Sequence, residues 1–185
     1  MSDAATPPAP LSESEPSARL HWEDFPVGHV AEFGRTEVRR EAVIDFASQF
    51  DPQPFHLDEE AAAASLFGRL SASGWHTACL LMRMLCDHHL LRTEGLGSPG
   101  VDALRWLQPV YPGDVLSARQ EVLEARPMRS RPQVGLVKSR FTVLNQRREA
   151  VMTMESWGMM RRREVPPHEV PAASGGSSDP QEPSA

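Results

Sequence analysis

The stretch WHTACLLMRMLCDHHLL, residues 75–91, is apolar on nearly every side of a helix and is interrupted only by Arg83 before Asp87. A helix without a polar face must be surrounded by other parts of the protein. We therefore predict a central buried helix here, with Cys79 and Cys86 as small buried side chains on one face. Seven helical residues separate these cysteines by about 10 Å, which is too far for a disulfide.

The chain downstream of this helix has the pattern of β-strands. Residues 101–110, 115–125, 134–145 and 150–160 form apolar or alternating runs separated by turns and polar loops. Successive strands joined by turns indicate an antiparallel sheet. The sequence thus predicts an α+β fold in which an antiparallel sheet wraps around the buried helix. A generic α+β sandwich is the alternative.

Upstream, REAVIDFASQF at residues 40–50 carries apolar side chains at helical spacing, namely Val43, Phe46, Ala47 and Phe50. Pro52 disfavours helical geometry at the preceding residue, so the helix is expected to end near Phe50. Asp58 is a good N-cap, and a second short helix is predicted over residues 59–67.

Length, composition and charge limit the remaining possibilities. The 185 residues fit one domain at 20–163, flanked by Pro-, Ala- and Ser-rich segments at 1–19 and 164–185 that are predicted to be disordered. The start of the chain lacks a basic segment followed by an apolar one, and no run of about 18 apolar residues occurs. We expect a cytoplasmic protein without a membrane span. The net charge of −6 argues against a nucleic-acid partner.

FDPQPFHLDEEAA, residues 50–62, is the best candidate for a catalytic segment. Asp51 and His56 flank two prolines that push Asp51 and Gln53 into extended conformations, so few shapes are open to the link between the acid and the histidine. A carboxylate can take a proton from water, and a histidine can orient that water or pass the proton on. The alternative is an ordinary Asp-Pro turn with an incidental surface histidine.

This segment resembles the hydratase motif of the MaoC-like dehydratases and (R)-specific enoyl-CoA hydratases. In that family an aspartate, four residues, a histidine, five residues and a small residue recur, which matches Asp51, His56 and Ala62. HWEDFPVGHVAEFGRTEVRREAVIDFA, SLFGRLSASGWHTA and LQPVYPGD resemble other parts of the same family. The resemblance covers about residues 20–160.

The resemblance implies a hot-dog fold, which is an antiparallel sheet wrapped around a central helix. It also implies reversible hydration of a 2-enoyl-CoA, or of an acyl-carrier-protein thioester, to the (3R)-3-hydroxyacyl thioester without a cofactor. Asp51 and His56 would hold and activate the water, and the backbone N–H of Gly74 would stabilise the oxyanion. A homodimer or a dimer of dimers is expected, with active sites at or near the interface.

Three positions depart from the family pattern. Glycine commonly precedes the aspartate, asparagine lies two residues after it, and histidine precedes the helix glycine; here these are Phe50, Gln53 and Ser73. Together with Trp75 these side chains are expected to shape the substrate pocket, and Phe50 is expected to fill space that glycine leaves open. Two other functions stay open at this stage: an acyl-CoA thioesterase, and a protein that binds acyl thioesters without chemistry.

CDHH at residues 86–89 contains residue types that ligate metals. Neighbouring His88 and His89 point about 100° apart on a helix and cannot easily share one ion. No further ligands are evident in the sequence, so we expect no metal site and interpret these residues as the polar end of the helix.

Overall fold

Three α-helices and five β-strands form the part of the chain that this computed structural model describes, residues 19–163. The helices are Arg40–Phe50 (α1), Glu59–Ala63 (α2) and Gly74–His88 (α3), and the strands are Val30–Glu37 (β1), Gly95–Trp106 (β2), Val115–Met128 (β3), Arg131–Leu144 (β4) and Ala150–Arg161 (β5). The α+β prediction is confirmed. Apart from Arg19, the predicted disordered tails lie outside the described residues.

The strands form one antiparallel sheet in the order β1-β3-β4-β5-β2. Hairpins join β3 to β4 and β4 to β5, and β2 closes the far edge beside β5. Alternate residues of β3 from Leu116 to Val122 are buried, as expected for a sheet with one covered face, and β4 and β5 also contribute buried side chains. The central core consists of these side chains and the buried side of α3, including Leu81, Leu116, Phe141, Val143 and Met152.

Helix α3 contacts the sheet through one side, and its opposite side is open to solvent in the single chain. Leu81, Met84 and Leu85 are buried, but Trp75 is 58% and Met82 49% exposed. The prediction that this helix is enclosed on all sides is therefore wrong for one protomer, because the sheet covers only part of its circumference.

The two cysteines of α3 are free, as predicted, but the prediction that both are buried is wrong. Cys79 is exposed and Cys86 is half-buried, because both lie toward the margin or the outside of the face that contacts the sheet. The interpretation of His89 as part of the polar end of the helix is also wrong, because this residue is buried. Its ring is buried against Phe25 and Phe33 where the chain turns away from the helix.

The segment between α1 and α3 follows the prediction closely. Helix α1 ends at Phe50, and the shorter α2 begins after Asp58, whose carboxylate accepts a hydrogen bond of 2.8 Å from the Ala61 N–H. Gly34 interrupts β1 with a positive φ of 77° where the strand passes over Met84 of α3. A side chain there would collide with Met84, so glycine allows the strand and the helix to pack closely.

The longest helix in residues 19–163 is α3, with 15 residues, and no helix in this range is both long enough and apolar enough to cross a membrane.

Candidate active site

A loop between α1 and α2 holds Asp51 and His56. Asp51 caps the end of α1, where its backbone N–H still donates to Ala47, and its extended φ of −150° turns the chain out of the helix. The 3-10 turn Pro54–His56 follows, and its hydrogen bond from the His56 N–H to the Gln53 carbonyl fixes the histidine backbone. The two prolines thus end one helix and begin the next turn, as the sequence predicts.

The acid and the histidine meet across this loop. The Nε2 atom of His56 lies 3.5 Å from an Oδ atom of Asp51, and His56 is buried. The Nδ1 atom of His56 lies 2.7 Å from the carbonyl oxygen of Ser71, which can only accept a hydrogen bond. Nδ1 therefore carries a proton, and Nε2 is the ring nitrogen that lies toward the acid and the cavity.

The carboxylate of Asp51 is held in its charged form. Partial burial raises its pKa, but hydrogen bonds from the Ser73 hydroxyl and the Gln53 amide and the interaction with His56 together bring the pKa below its ordinary value. The Gln53 amide donates to Oδ1 at 2.7 Å, whereas Oδ2 is the oxygen nearest the histidine. One carboxylate oxygen is thus occupied, and the other faces His56.

The N-terminus of α3 lies beside this pair. Ser73 is the N-cap, and its hydroxyl accepts from the Trp75 N–H at 3.2 Å. No described residue accepts a hydrogen bond from the N–H of Gly74, the first residue of the helix. A Cβ on Gly74 would lie 2.5 Å from the indole of Trp106, so any side chain at this position would force that ring to move. A free N–H at the positive end of a 15-residue helix is suited to an anionic oxygen.

These groups line one cavity of about 450 Å³. Its polar wall contains Asp51, Gln53, His56 and the Gly74 backbone, and its remaining walls are largely apolar. The lining also includes Phe55, Phe67, Trp75, Thr77, Trp106, Leu107, Gln108, Pro109, Val110 and Val151. A mostly apolar cleft with a few convergent polar groups is typical of a small-molecule site.

The structure brings together five of the seven residues that the sequence singled out. Phe50 is 70% exposed and lies outside the cavity, with its ring 5.2 Å from that of Phe46. Ser73 is completely buried and lies behind Asp51 instead of lining the cavity.

Sequence reasoning missed the apolar walls of the site. Phe55 and Phe67 come from the loops on either side of α2, and residues 106–110 come from the end of β2 and the loop after it. Phe55 is next to His56 in the sequence, and Leu107–Val110 form the LQPV segment that resembles the family. Their position in or beside these motifs could have predicted that they line the site.

Comparison with known proteins identifies the family. The family model described as "MaoC like domain" matches residues 24–143. The chain belongs to the MaoC-like family.

Individual relatives of this MaoC-like protein agree with that assignment. It is 33% identical to a 3-hydroxybutyryl-CoA dehydratase of Methylorubrum extorquens over 118 residues, covering 63% of this chain and 72% of the relative. The crystal structure of a MaoC-like dehydratase from Rhodospirillum rubrum matches with a TM-score of 0.71 and 42% identity, covering 79% of this chain and 99% of that one. An (R)-hydratase from Pseudomonas aeruginosa matches with a TM-score of 0.61 and 25% identity, covering 80% and 95%.

These matches confirm the predicted hot-dog fold of this MaoC-like protein, and the family supports a hydro-lyase activity. Within residues 19–163, no group of three or more His, Cys, Asp or Glu side chains is arranged to hold a metal ion.

Proposed function

We propose that this MaoC-like protein catalyses the reversible hydration of a 2-enoyl thioester to the (3R)-3-hydroxyacyl thioester. The observation that carries the proposal is the convergence of Asp51, His56 and the free Gly74 N–H on one largely apolar cavity. Addition of water to a double bond conjugated to a thioester needs an activated water, a proton for the α-carbon and a donor for the carbonyl oxygen. The three groups supply these functions.

In the hydration direction, Asp51 and His56 hold one water between them. The lowered pKa of Asp51 makes the carboxylate a weak base, so Nε2 takes the proton when the His56 ring is in its neutral form. The water oxygen forms the new bond to the β-carbon, and the electron pair of the double bond moves onto the thioester oxygen. The negative Asp51 stabilises the imidazolium, which then returns the proton to the α-carbon, leaving one molecule of water added across the double bond.

The Gly74 N–H stabilises the negative oxygen formed in this step. It lies at the N-terminus of α3, where the helix dipole adds to its hydrogen bond. Loss of one such donor in other enzymes costs about 100-fold or more in rate. The lack of a side chain also lets the thioester oxygen approach the backbone beneath Trp106.

The experiment that tests the proposal measures two products from coenzyme A thioesters. With 2-enoyl-CoAs of several chain lengths, we expect loss of the enoyl absorbance and formation of the (3R)-hydroxy product. With saturated acyl-CoAs, we expect no release of free thiol. Rapid thiol release without hydration would instead identify a thioesterase, and tight binding without either reaction would identify a binding protein.

We also propose that the functional unit is a homodimer. Within residues 19–163 the edge strand β2 has one unpaired side, and along it Leu96, Val101 and Trp106 are exposed. The open side of α3 adds Trp75 and Met82 to the exposed apolar surface. A long exposed apolar edge strand favours pairing with a second copy. Because Trp75 and Trp106 also line the cavity, a partner at this surface would lie next to the active site.

A further inference from the structure

A second cavity, of about 490 Å³, lies between the C-terminal half of α3 and the inner face of the sheet. Met82 and Leu85 border it from the helix, and Gly100 and Val101 border it from β2. It shares no lining residue with the cavity that contains Asp51. The space beside Gly100 is open, since a Cβ there would meet no atom within 4 Å.

Polar residues cross the floor of this cavity at positions where the strand pattern calls for apolar ones. Gln120 of β3, Ser139 of β4 and Ser156 of β5 all border the cavity, and Ser139 and Ser156 are direct cross-strand partners. Gln120 and Ser139 are buried, and the Gln120 amide donates to the Ser139 hydroxyl at 3.0 Å. Burying such groups costs free energy, so a polar row inside an otherwise apolar core points to a function beyond folding.

Two further polar groups border the cavity, namely the Ser156 hydroxyl and the ring of His89, which is 5% exposed. The Gln120 side chain has a carbonyl oxygen and a second N–H beyond the bond to Ser139. These donors and acceptors are available to a ligand.

The wall of this cavity carries no formal charge at neutral pH. Among the described residues that line it there is no Asp, Glu, Lys or Arg. Burial lowers the pKa of His89 to about 4, and the neighbouring His88, Arg92 and His29 act in the same direction, so its ring is neutral. An anionic or cationic group would lose its hydration without gaining a partner, whereas a hydroxyl or carbonyl would find hydrogen bonds.

We propose that the second cavity binds an alkyl chain or ring that carries an uncharged hydroxyl or carbonyl group, recognised by Gln120, Ser139 and Ser156. Such a ligand has two sources: the distal part of an oxygenated acyl thioester, or a separate small molecule. The inference does not require the catalytic roles of Asp51 and His56. Where the ligand is the distal end of the substrate, it deepens the proposed function by naming an oxygen-bearing acyl group.

Calorimetric titration with octan-1-ol and octanoate tests this proposal, because the two probes share a chain length and differ in charge at pH 7.5. Octanol is expected to bind at least about tenfold more tightly than octanoate, since the wall holds no cation. Ser156→Leu, which fills the cavity, is expected to weaken octanol binding at least tenfold. Thr153→Leu, on the opposite face of the same strand, is the matched control and is expected to bind as the wild type does.

A second variant keeps the cavity at nearly the same volume but removes the polar groups that would bind the oxygen of the ligand. Gln120→Leu combined with Ser139→Ala replaces both partners of the buried hydrogen bond, and we expect octanol affinity to fall about tenfold. Circular dichroism and thermal unfolding check that each variant is folded. Absence of octanol binding to the wild type, equal binding of octanoate, or unchanged affinity in both folded variants would overturn the proposal.

Two further arms separate this inference from the proposed function and identify the source of the ligand. Asp51→Asn is expected to bind octanol as the wild type does, even though hydration is lost. Saturating octanoyl-CoA is then added before the octanol titration. Loss of octanol binding assigns the cavity to the substrate's distal end, and unchanged binding assigns it to a separate molecule; either result is consistent with the proposed ligand chemistry.

Discussion

Ser73 links the acid of the site to the helix that offers the free N–H. Its buried hydroxyl accepts from the Trp75 N–H and hydrogen-bonds to the Asp51 carboxylate. Sequence comparison marked this position because the family commonly has histidine there, but it did not reveal that the side chain lies behind the acid. That placement depends on the angle between the loop after α1 and the start of α3, which local sequence patterns do not encode.

Ser73→Ala is expected to raise the pKa of Asp51, because it removes one of the hydrogen bonds that stabilise the charged form. Loss of the N-cap and of the buried bond is also expected to lower the free energy of unfolding by about 2 kcal/mol. Carbon-13 NMR of the carboxyl group and urea unfolding measure the two effects. Ser48→Ala, at an exposed position of α1, is the control, and an Asp51 pKa unchanged by Ser73→Ala would refute the linkage.

His89 is expected to make the fold sensitive to acid. Burial lowers its pKa from 6.5 to about 4, so the unfolded chain binds a proton over a pH range in which the folded chain does not. The stabilisation is therefore complete above about pH 6.5 and is lost as the pH falls toward 4, by on the order of 3 kcal/mol. His76 and His88, whose pKa values burial also lowers, act in the same direction.

Urea unfolding of the wild type and of His89→Leu at pH 7.5 and pH 5 measures this dependence. The variant is expected to lose less stability than the wild type between the two pH values, because it no longer contains a buried base that must be protonated. The same loss in both proteins would show that His89 does not contribute to acid sensitivity.

At the scale of elements, the sequence predicted those parts that carry strong local signals. Pro52 ended α1 as expected, Asp58 capped α2, and the apolar run of α3 marked the helix. Strand β2 was harder, since it begins at Gly95 in the glycine-rich run GLGSPG and pairs with β5 through several register shifts. Glycine has no side-chain pattern to reveal a strand, and the pairing that orders it comes from β5.

The contact between α3 and the end of β2 yields a prediction about packing. Gly74→Ala would place a methyl group 2.5 Å from the Trp106 indole, and we expect it to lower the free energy of unfolding by about 1–3 kcal/mol. In a Trp106→Ala background the same change is expected to cost much less, because the obstructing ring is gone. Urea unfolding of the four proteins of this cycle measures the coupling, and additive effects would contradict the close packing.

For the whole molecule, the open side of α3 is the main difference between expectation and structure. Its sequence predicts a helix surrounded by protein, yet Trp75, Cys79 and Met82 are exposed in one protomer. The apolar pattern of α3 indicates that the helix is buried, but it does not indicate whether the residues packed against it belong to the same chain or to a second copy. A second copy placed against α3 and β2 would account for both observations.

Cys79→Arg tests this assembly, because it places a charge on the open side of α3 outside both cavities. The wild type is expected to have the mass of a dimer in light scattering, and the variant that of a monomer. Val27→Arg is the control, since Val27 is 61% exposed and lies in the loop before β1. A monomeric wild type, or a variant that dimerises equally well, would exclude this interface.

The central claim is that Asp51 and His56 together activate water for addition to an enoyl thioester. The most direct test is the steady-state hydration rate of 2-enoyl-CoAs for the wild type, Asp51→Asn and His56→Ala, with Asp45→Asn on the exposed side of α1 and His29→Ala as controls. We expect each site variant to fold and to lose at least about 100-fold in kcat, because each removes one of the groups that hold and deprotonate the water. The controls are expected to retain wild-type rates. Undiminished hydration by either folded site variant would contradict the claim.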